Sequence, residues 1–213
     1  MQLFRLDASI RTAGSVSRAL ADTAERAWLA EHRDAVVTRR DLGREPLPAD
    51  LWARAAESMV DPSVPAVPEA AELTARLSAE LLDADAYVFA VPLYNWGVPA
   101  HFKTWIDMLL LNPVFGAAGD RPLAGRPAVL AMSRGGGYGP GTPKEGWDYN
   151  SPYVKRILSE VLHLDVHVAE AELTLADVNP AMATLRDLAA DLLKAGHERA
   201  AEHGRRIAAR VRA

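Results

Sequence analysis

Three short stretches hold residue types at spacings that could do chemistry. "LDASIRTAGSVS" supplies Ser9, Ser15 and Ser17, hydroxyl donors set just where a helix can begin. A helix start offers free backbone N–H groups and favours negative charge, so with the serines it can cradle a phosphate without a lysine. The alternative reading makes Ser15 only an N-cap and the other serines loop polars. "PLYNWGVP" places Leu93, Tyr94, Asn95 and Trp96 before Gly97 and Pro99. The glycine permits close backbone approach and the proline suits a first helical turn. Its aromatics either wall a flat ligand or pack on the core. "SRGGG" joins Ser133 and Arg134 to Gly135 and Gly136, whose N–H groups no side chain obstructs. Such a loop suits a ring with carbonyl edges, or is simply flexible.

Other chemistries are disfavoured. The chain has no cysteine, hence no disulfide, thiol nucleophile or thiolate metal site. It carries neither a Walker A sequence nor a G-x-G-x-x-G fingerprint. His163 and His167 are four apart but straddle a helix end and a strand, without an H-E-x-x-H pattern, so no metal is expected. The net charge of -4 gives no reason for a nucleic-acid partner. Arg199, Arg205, Arg206, Arg210 and Arg212 are interleaved with Glu198 and Glu202, as on a solvated helix. No basic and apolar leader and no stretch of about 18 apolar residues is present, so a cytoplasmic location and no membrane span are expected.

The elements that must position the loops follow from periodicity. Strands are predicted at "QLFRLDAS", Ala35 to Leu42, "AYVFAV", "RPAVLAMS" and "DVHVAEAEL". The nearly continuous apolar character of the third and fourth suits parallel strands covered on both faces. Val16, Ala19, Leu20, Thr23, Ala24 and Ala27 recur at helical spacing after Ser15. Leu73, Leu77, Leu81 and Leu82 mark another helix, and Phe102, Trp105, Ile106 and Leu109 a third, starting at Pro99. A proline-rich surface excursion, Pro46 to Pro68, holds one amphipathic piece, "LWARAAESM". The chain from about Pro180 to Arg212 reads as a long helix, either straight or kinked near Gly196. Five alternations of strand and helix over residues 1–213 predict one α/β domain with a five-stranded parallel sheet and helices on both faces.

In such a sheet, ligands bind beyond the carboxyl ends of the strands, where strand order reverses. The three loops meet at that edge, where together they can hold the phosphate and ring of a flavin mononucleotide. His101 either faces that pocket or sits partly buried in its helix. Phe115, Tyr138, Trp147 and Tyr149 lie in loops expected near the site, as a roof or a subunit contact.

The chain resembles the FMN-dependent NAD(P)H:quinone oxidoreductases, or azoreductases, of flavodoxin-like fold. The resemblance rests on "LDASIRTAGSVS", "PLYNWGVPAHFKTWID", "SRGG" and "SPYVKRIL". It implies that Ser9, Ser15, Val16 and Ser17 surround the FMN phosphate. It places Leu93, Tyr94, Asn95 and Trp96 along the isoalloxazine ring, and Ser133, Arg134, Gly135 and Gly136 at its pyrimidine side. Val16 stands where a glutamine is common, and Trp96 where phenylalanine is usual, which reshapes the substrate slot. NADH or NADPH would reduce the flavin, and quinones or azo compounds would then be reduced in a second step. No side-chain acid or base is required; Asn95 and Trp96 are the groups nearest the reacting ring. The resemblance also implies a homodimer. Trp105, Leu109, Leu110 and Leu111 offer a surplus of apolar surface that fits either an interface or a deep core helix. A tailoring enzyme acting on an aromatic biosynthetic intermediate is the alternative. A flavodoxin-like electron carrier ranks below both. A phospho-regulator would need an acidic residue where Pro92, Leu93 and Tyr94 stand.

Overall fold

The computed structural model describes residues 1–61, 63–116 and 119–211. Strands β1 (Gln2–Asp7), β2 (Val36–Asp41), β3 (Ala86–Pro92), β4 (Pro127–Ser133) and β5 (Asp165–Ala171) form one parallel sheet in the order β2-β1-β3-β4-β5. This is the doubly wound order with its switch point between β1 and β3. Helices α1 (Val16–Glu31), α2 (Ala49–Val60), α3 (Pro68–Leu82), α4 (Ala100–Leu109), α5 (Ser151–Arg156) and α6 (Arg186–Val211) connect or follow the strands. A π-turn, Ile157–Val161, continues α5, and a 3₁₀ segment, Pro180–Leu185, precedes α6.

The period-2 alternation of the strands sorts the two faces by side-chain size. Phe4, Leu6, Tyr87, Phe89, Val91, Leu130 and Met132 form one core with α3, α4 and α5. Leu3, Ala86, Val88, Ala90, Val129 and Ala131 form the other with α1 and α6. The smaller face lets its two helices lie close. Gly204 of α6 abuts α1 so tightly that a Cβ there would stand 2.3 Å from the Ala24 carbonyl oxygen.

Several expectations are corrected. The buried stripe of α1 is Ser17, Leu20, Ala21, Ala24, Glu25 and Trp28, rotated from the predicted face. Ala19, Thr23 and Ala27 are only half-buried; on that side Thr23 Oγ1 lies 2.9 Å from His197 Nδ1 of α6. The helix α6 runs through Gly196 uninterrupted. That glycine serves close packing instead, since a Cβ would meet the Glu170 carbonyl oxygen at 2.8 Å. Arg212, at the predicted end of this helix, lies outside the described residues. The proline-rich excursion contributes Leu51 and Ala55 of α2 to the core. Of the two alternatives for the apolar surplus of α4, the core takes it: Trp105 and Leu109 are fully buried, and Leu110 and Leu111 pack against the same cluster. Phe115 is buried in that core, away from the loops at the carboxyl edge.

Candidate functional site

The carboxyl edge of the sheet carries the loops that follow β1, β3, β4 and β5. The loop after β1 is anchored from below. Arg18 donates from Nη2 to the Ser9 carbonyl at 2.7 Å and binds Asp41, at the end of β2, through both terminal nitrogens at 2.7 and 2.6 Å. Burial favours the neutral acid at Asp41, yet the Arg18 guanidinium and the N–H groups of Arg44 and Gly43 hold its carboxyl below the usual range. Arg5 binds Asp7, Asp22 and Glu25 beside it, while Arg18 also faces Asp7 and Arg39 also binds Glu25, so each acid beneath the loop is paired. His101 Nε2 lies 2.6 Å from the Ala8 carbonyl, which can only accept, so Nε2 carries the proton. The histidine thus ties α4 to the end of β1.

Above this base, Ser15 caps α1, and its hydroxyl accepts from Arg18 N at 3.5 Å. No acidic residue occupies the first turn, and among the described residues the N–H groups of Val16 and Ser17 have no acceptor. Arg11 adds a cation at the same place. This is an anion-binding arrangement. Ser17 is fully buried, with its hydroxyl 3.4 Å from that of Ser15, so its side chain supports the cap.

The loop after β3 forms a two-residue hairpin. Tyr94 and Gly97 exchange both backbone hydrogen bonds, at 3.1 and 2.9 Å. Asn95 (φ 47°) and Trp96 (φ 64°) occupy the left-handed region between them. Asparagine is favoured there, whereas tryptophan stands where glycine normally would, at a cost of about 1–2 kcal/mol. The Tyr94 hydroxyl turns back to Ser9 Oγ at 3.1 Å and accepts from Ile10 N at 3.2 Å, joining the first two loops.

The loop after β4 is held by the chain after β5. The carbonyl oxygen of Arg134 accepts from Thr174 N at 3.1 Å, that of Gly135 from Leu175 N at 3.2 Å, and that of Gly136 from Leu173 N at 3.3 Å. With these carbonyls engaged, the N–H groups of Gly135 and Gly136 have no acceptor among the described residues. The Arg134 side chain turns away from the cleft. Its Nη1 meets Asp148 at 2.8 Å and Ser151 Oγ at 3.0 Å, Nη2 meets Glu170 at 2.9 Å, and Nε meets Glu172 at 3.0 Å. Burial works against its charge, but Glu170, Asp148 and Glu172 outweigh that and raise its pKa. Arg134 is therefore a brace for the glycine loop, with its backbone N–H also committed to Ala171.

These loops enclose a cleft of about 180 Å³. Of the predicted residues it gathers Ser9, Ser15, Val16, Leu93, Tyr94, Ser133 and Gly135. Ser17, Asn95, Trp96, Arg134 and Gly136 do not line it. Asn95 and Trp96 are exposed at the tip of their turn. Arg11, Pro92, Thr174 and Leu175 also line it and were missed. The carboxyl-edge rule applied to the fifth strand points to the last two. A wider groove of about 330 Å³ between α2, α3 and Leu111–Pro113 contains no charged group and none of these loops. Among the described residues no cluster of three or more histidines and acids could hold a metal, and no helix is long and apolar enough to cross a membrane.

Comparison with known proteins gives a consistent result. A family model described as a flavodoxin-like fold matches residues 1–195. An FMN-dependent NADH:quinone oxidoreductase of Kineococcus radiotolerans is 41% identical over 210 residues, 96% of this chain and 99% of that protein. One of the same description from Frankia casuarinae is 40% identical over 190 residues, 87% of this chain and 90% of that protein. In fold, the chain is similar to the crystal structure of an FMN-dependent NADH-azoreductase from Bacillus anthracis in complex with FMN. That likeness has a TM-score of 0.74 at 16% identity and covers 97% of this chain and 98% of the other.

Proposed function

The chain belongs to the FMN-dependent NADH:quinone oxidoreductase family of flavodoxin-like fold, and we propose that it binds FMN in the cleft at the carboxyl edge and reduces quinones or azo compounds with NADH. The observation that carries this reading is that unpaired N–H groups stand on two sides of one cleft: those of Val16 and Gly135, which line it, and of their chain neighbours Ser17 at the helix start and Gly136 in the glycine loop. An anion at one end and a ring with electronegative edges at the other satisfy both, and FMN has both parts.

In this reading Val16 and Ser17 N–H, the Ser9 and Ser15 hydroxyls and Arg11 hold the phosphate. Leu93 and Tyr94 flank the ring on the β3 side, and Ser133 and Gly135 flank it on the β4 side. Bound there, FMN would supply a ring able to accept hydride from a reduced nicotinamide and to pass the electrons to an acceptor that arrives after the nicotinamide leaves, a ping-pong exchange. The oriented N–H dipoles of Gly135 and Gly136 favour negative charge at the pyrimidine edge, as donors in an oxyanion hole do. The braces at Arg18 and Arg134 keep those donors in place before the ligand arrives, which lowers the ordering cost of binding. A homodimer and a cytoplasmic location complete the proposal.

The test is the visible spectrum of the purified protein, with added FMN, before and after anaerobic NADH. A bound flavin that bleaches with NADH and recovers with a simple quinone is expected. A protein that takes up no FMN would overturn the reading. Rapid bleaching with poor turnover on every simple acceptor would favour the biosynthetic tailoring enzyme. Sedimentation at micromolar concentration tests the dimer.

A further inference from the structure

A second cavity, of about 310 Å³, lies between the loop after β1 and helices α1 and α6. It meets the cleft at its phosphate end, where Ser15 and Val16 line both. The cleft alone, at about 180 Å³, is smaller than most pockets that bury an organic ligand, which begin at roughly 300 Å³. The second cavity reaches that size by itself.

Positive charge and free donors collect at the junction. The unpaired N–H of Val16 is there, with that of its neighbour Ser17 and the hydroxyl of Ser15. Arg11 lines the cleft and Gly14 lines the second cavity. The Arg11 Nη2 lies 3.2 Å from where a Cβ at Gly14 would stand, so the guanidinium borders both spaces. Gly14 holds φ 66°, a turn made without a side chain between them. A terminal phosphate uses one side of this junction; a diphosphate uses both.

The walls beyond the junction suit a nucleoside. Leu193 and His197 line the cavity from successive turns of α6, and Ala19 and Asp22 from α1. The imidazole is held in place, with Nδ1 2.9 Å from Thr23 Oγ1. A fixed flat ring beside an apolar side chain is a surface on which a base can stack. Asp22 is half exposed and meets Arg5 through Oδ1 at 2.6 Å, which leaves Oδ2 to accept from a sugar hydroxyl. Arg18 also lines the cavity. Its terminal nitrogens are taken by Asp41 and the Ser9 carbonyl, but its Nε is buried without a partner. A mononucleotide, which ends at its phosphate, needs none of these walls.

We propose that the second cavity is a nucleotide subsite and that the chain accepts the flavin dinucleotide FAD as well as FMN, with the diphosphate across the junction and the adenosine between α1 and α6. The assignment rests on the functional reading above, because a flavin in the cleft is what places a phosphate at the junction.

The test is equilibrium binding to the full chain freed of flavin, with FMN and FAD followed by flavin fluorescence and ADP by calorimetry. FAD is expected to bind within about tenfold of FMN, because the added contacts offset the ordering cost of the longer ligand. Leu193→Trp, which fills the second cavity, is expected to weaken FAD by about thirtyfold and FMN by less than about twofold. His197→Ala removes the stacking wall without adding bulk and is expected to weaken FAD by about fivefold and FMN not at all, so it decides the question if the tryptophan variant fails to fold. Wild-type binding of FAD more than about a hundredfold weaker than that of FMN overturns the subsite. So does an equal loss of both flavins in these variants, which would make the two residues supports of the fold alone. If the wild type takes up neither flavin, the functional reading falls and ADP decides the subsite by itself. Binding of ADP that either substitution abolishes upholds it, and no binding of ADP overturns it.

Discussion

The packing of Gly43 against the loop after β1 yields a sharp prediction. A Cβ at this position would stand 2.0 Å from the Ser9 carbonyl oxygen and 2.8 Å from its carbon. Both are backbone atoms, and the oxygen is already clamped by Arg18 at 2.7 Å. Gly43→Ala must therefore move either the Ser9 loop or the turn after β2 by about an ångström, at the overpacking cost of about 1–3 kcal/mol. If the loop yields, the loss falls on the cofactor. At about 1.4 kcal/mol per tenfold, FMN should bind about 5- to 150-fold more weakly. If the turn yields, the cost appears as a fall in Tm of the FMN-free protein, about 2–4 °C per kcal/mol for a chain of this size. Titration of FMN into FMN-free protein, followed by flavin fluorescence, and thermal melts of the same sample separate the two. Arg18 fastens Ser9 to Asp41 through three short bonds, so the loop is expected to move together with its clamp and the Kd to carry most of the loss. Arg18→Met, which removes the clamp without adding bulk, should weaken FMN in the same direction. A Kd within twofold of wild type together with an unchanged Tm for Gly43→Ala would refute the reasoning. The Ser9 loop would then be free to shift without consequence.

Other predictions follow from single contacts. Gly135→Val drives a side chain into Leu175, whose Cδ1 lies 2.7 Å from the Cβ position, and covers the free N–H; FMN affinity should fall by about tenfold or more in the same titration. Asn95→Ala replaces the residue that tolerates φ 47° with one that does not, at about 1 kcal/mol, and should weaken flavin binding or slow its reduction in stopped-flow with NADH. Gly204→Val would drive Cβ into the Ala24 carbonyl, part α6 from α1 and lower the Tm by several degrees in calorimetry. Burial lowers the pKa of His203, with His167 and Arg206 acting in the same direction against the Val168 carbonyl and Glu202. Because the folded pKa lies below the unfolded value of about 6.5, this histidine's stabilising effect is complete above that pH and is lost as pH falls toward the folded value. Melting temperatures at pH 7.5 and 5.5 should differ less in His203→Gln than in wild type.

The division between what was legible in the sequence and what was not follows the range of the interactions. Strands such as "AYVFAV" and "PAVLAMS" declare themselves because burial on both faces leaves an apolar run. Ser15 declares α1 because capping is local. Arg134 is different. Its neighbour Gly135 lines the cleft, yet its guanidinium is directed by Asp148, Glu170 and Glu172, which only folding brings together. The part played by Thr174 and Leu175 was hidden for a related reason: Leu173, Thr174 and Leu175 hold the glycine loop through backbone N–H groups, which any residue but proline could supply. The rotated face of α1 reflects a second packing partner, α6, that periodicity alone cannot announce. Trp96 is the informative conflict. Turn rules place a glycine after Asn95, so the local preference opposes the conformation found. The opposition is overcome by the bond from Tyr149 and the ring of Trp147, both some fifty residues further along the chain. Local preference yields to tertiary contact most readily where the contact has a use. Trp96 keeps a glycine's place because those two contacts, both made only on folding, offset the local cost, even with nearly half its surface open.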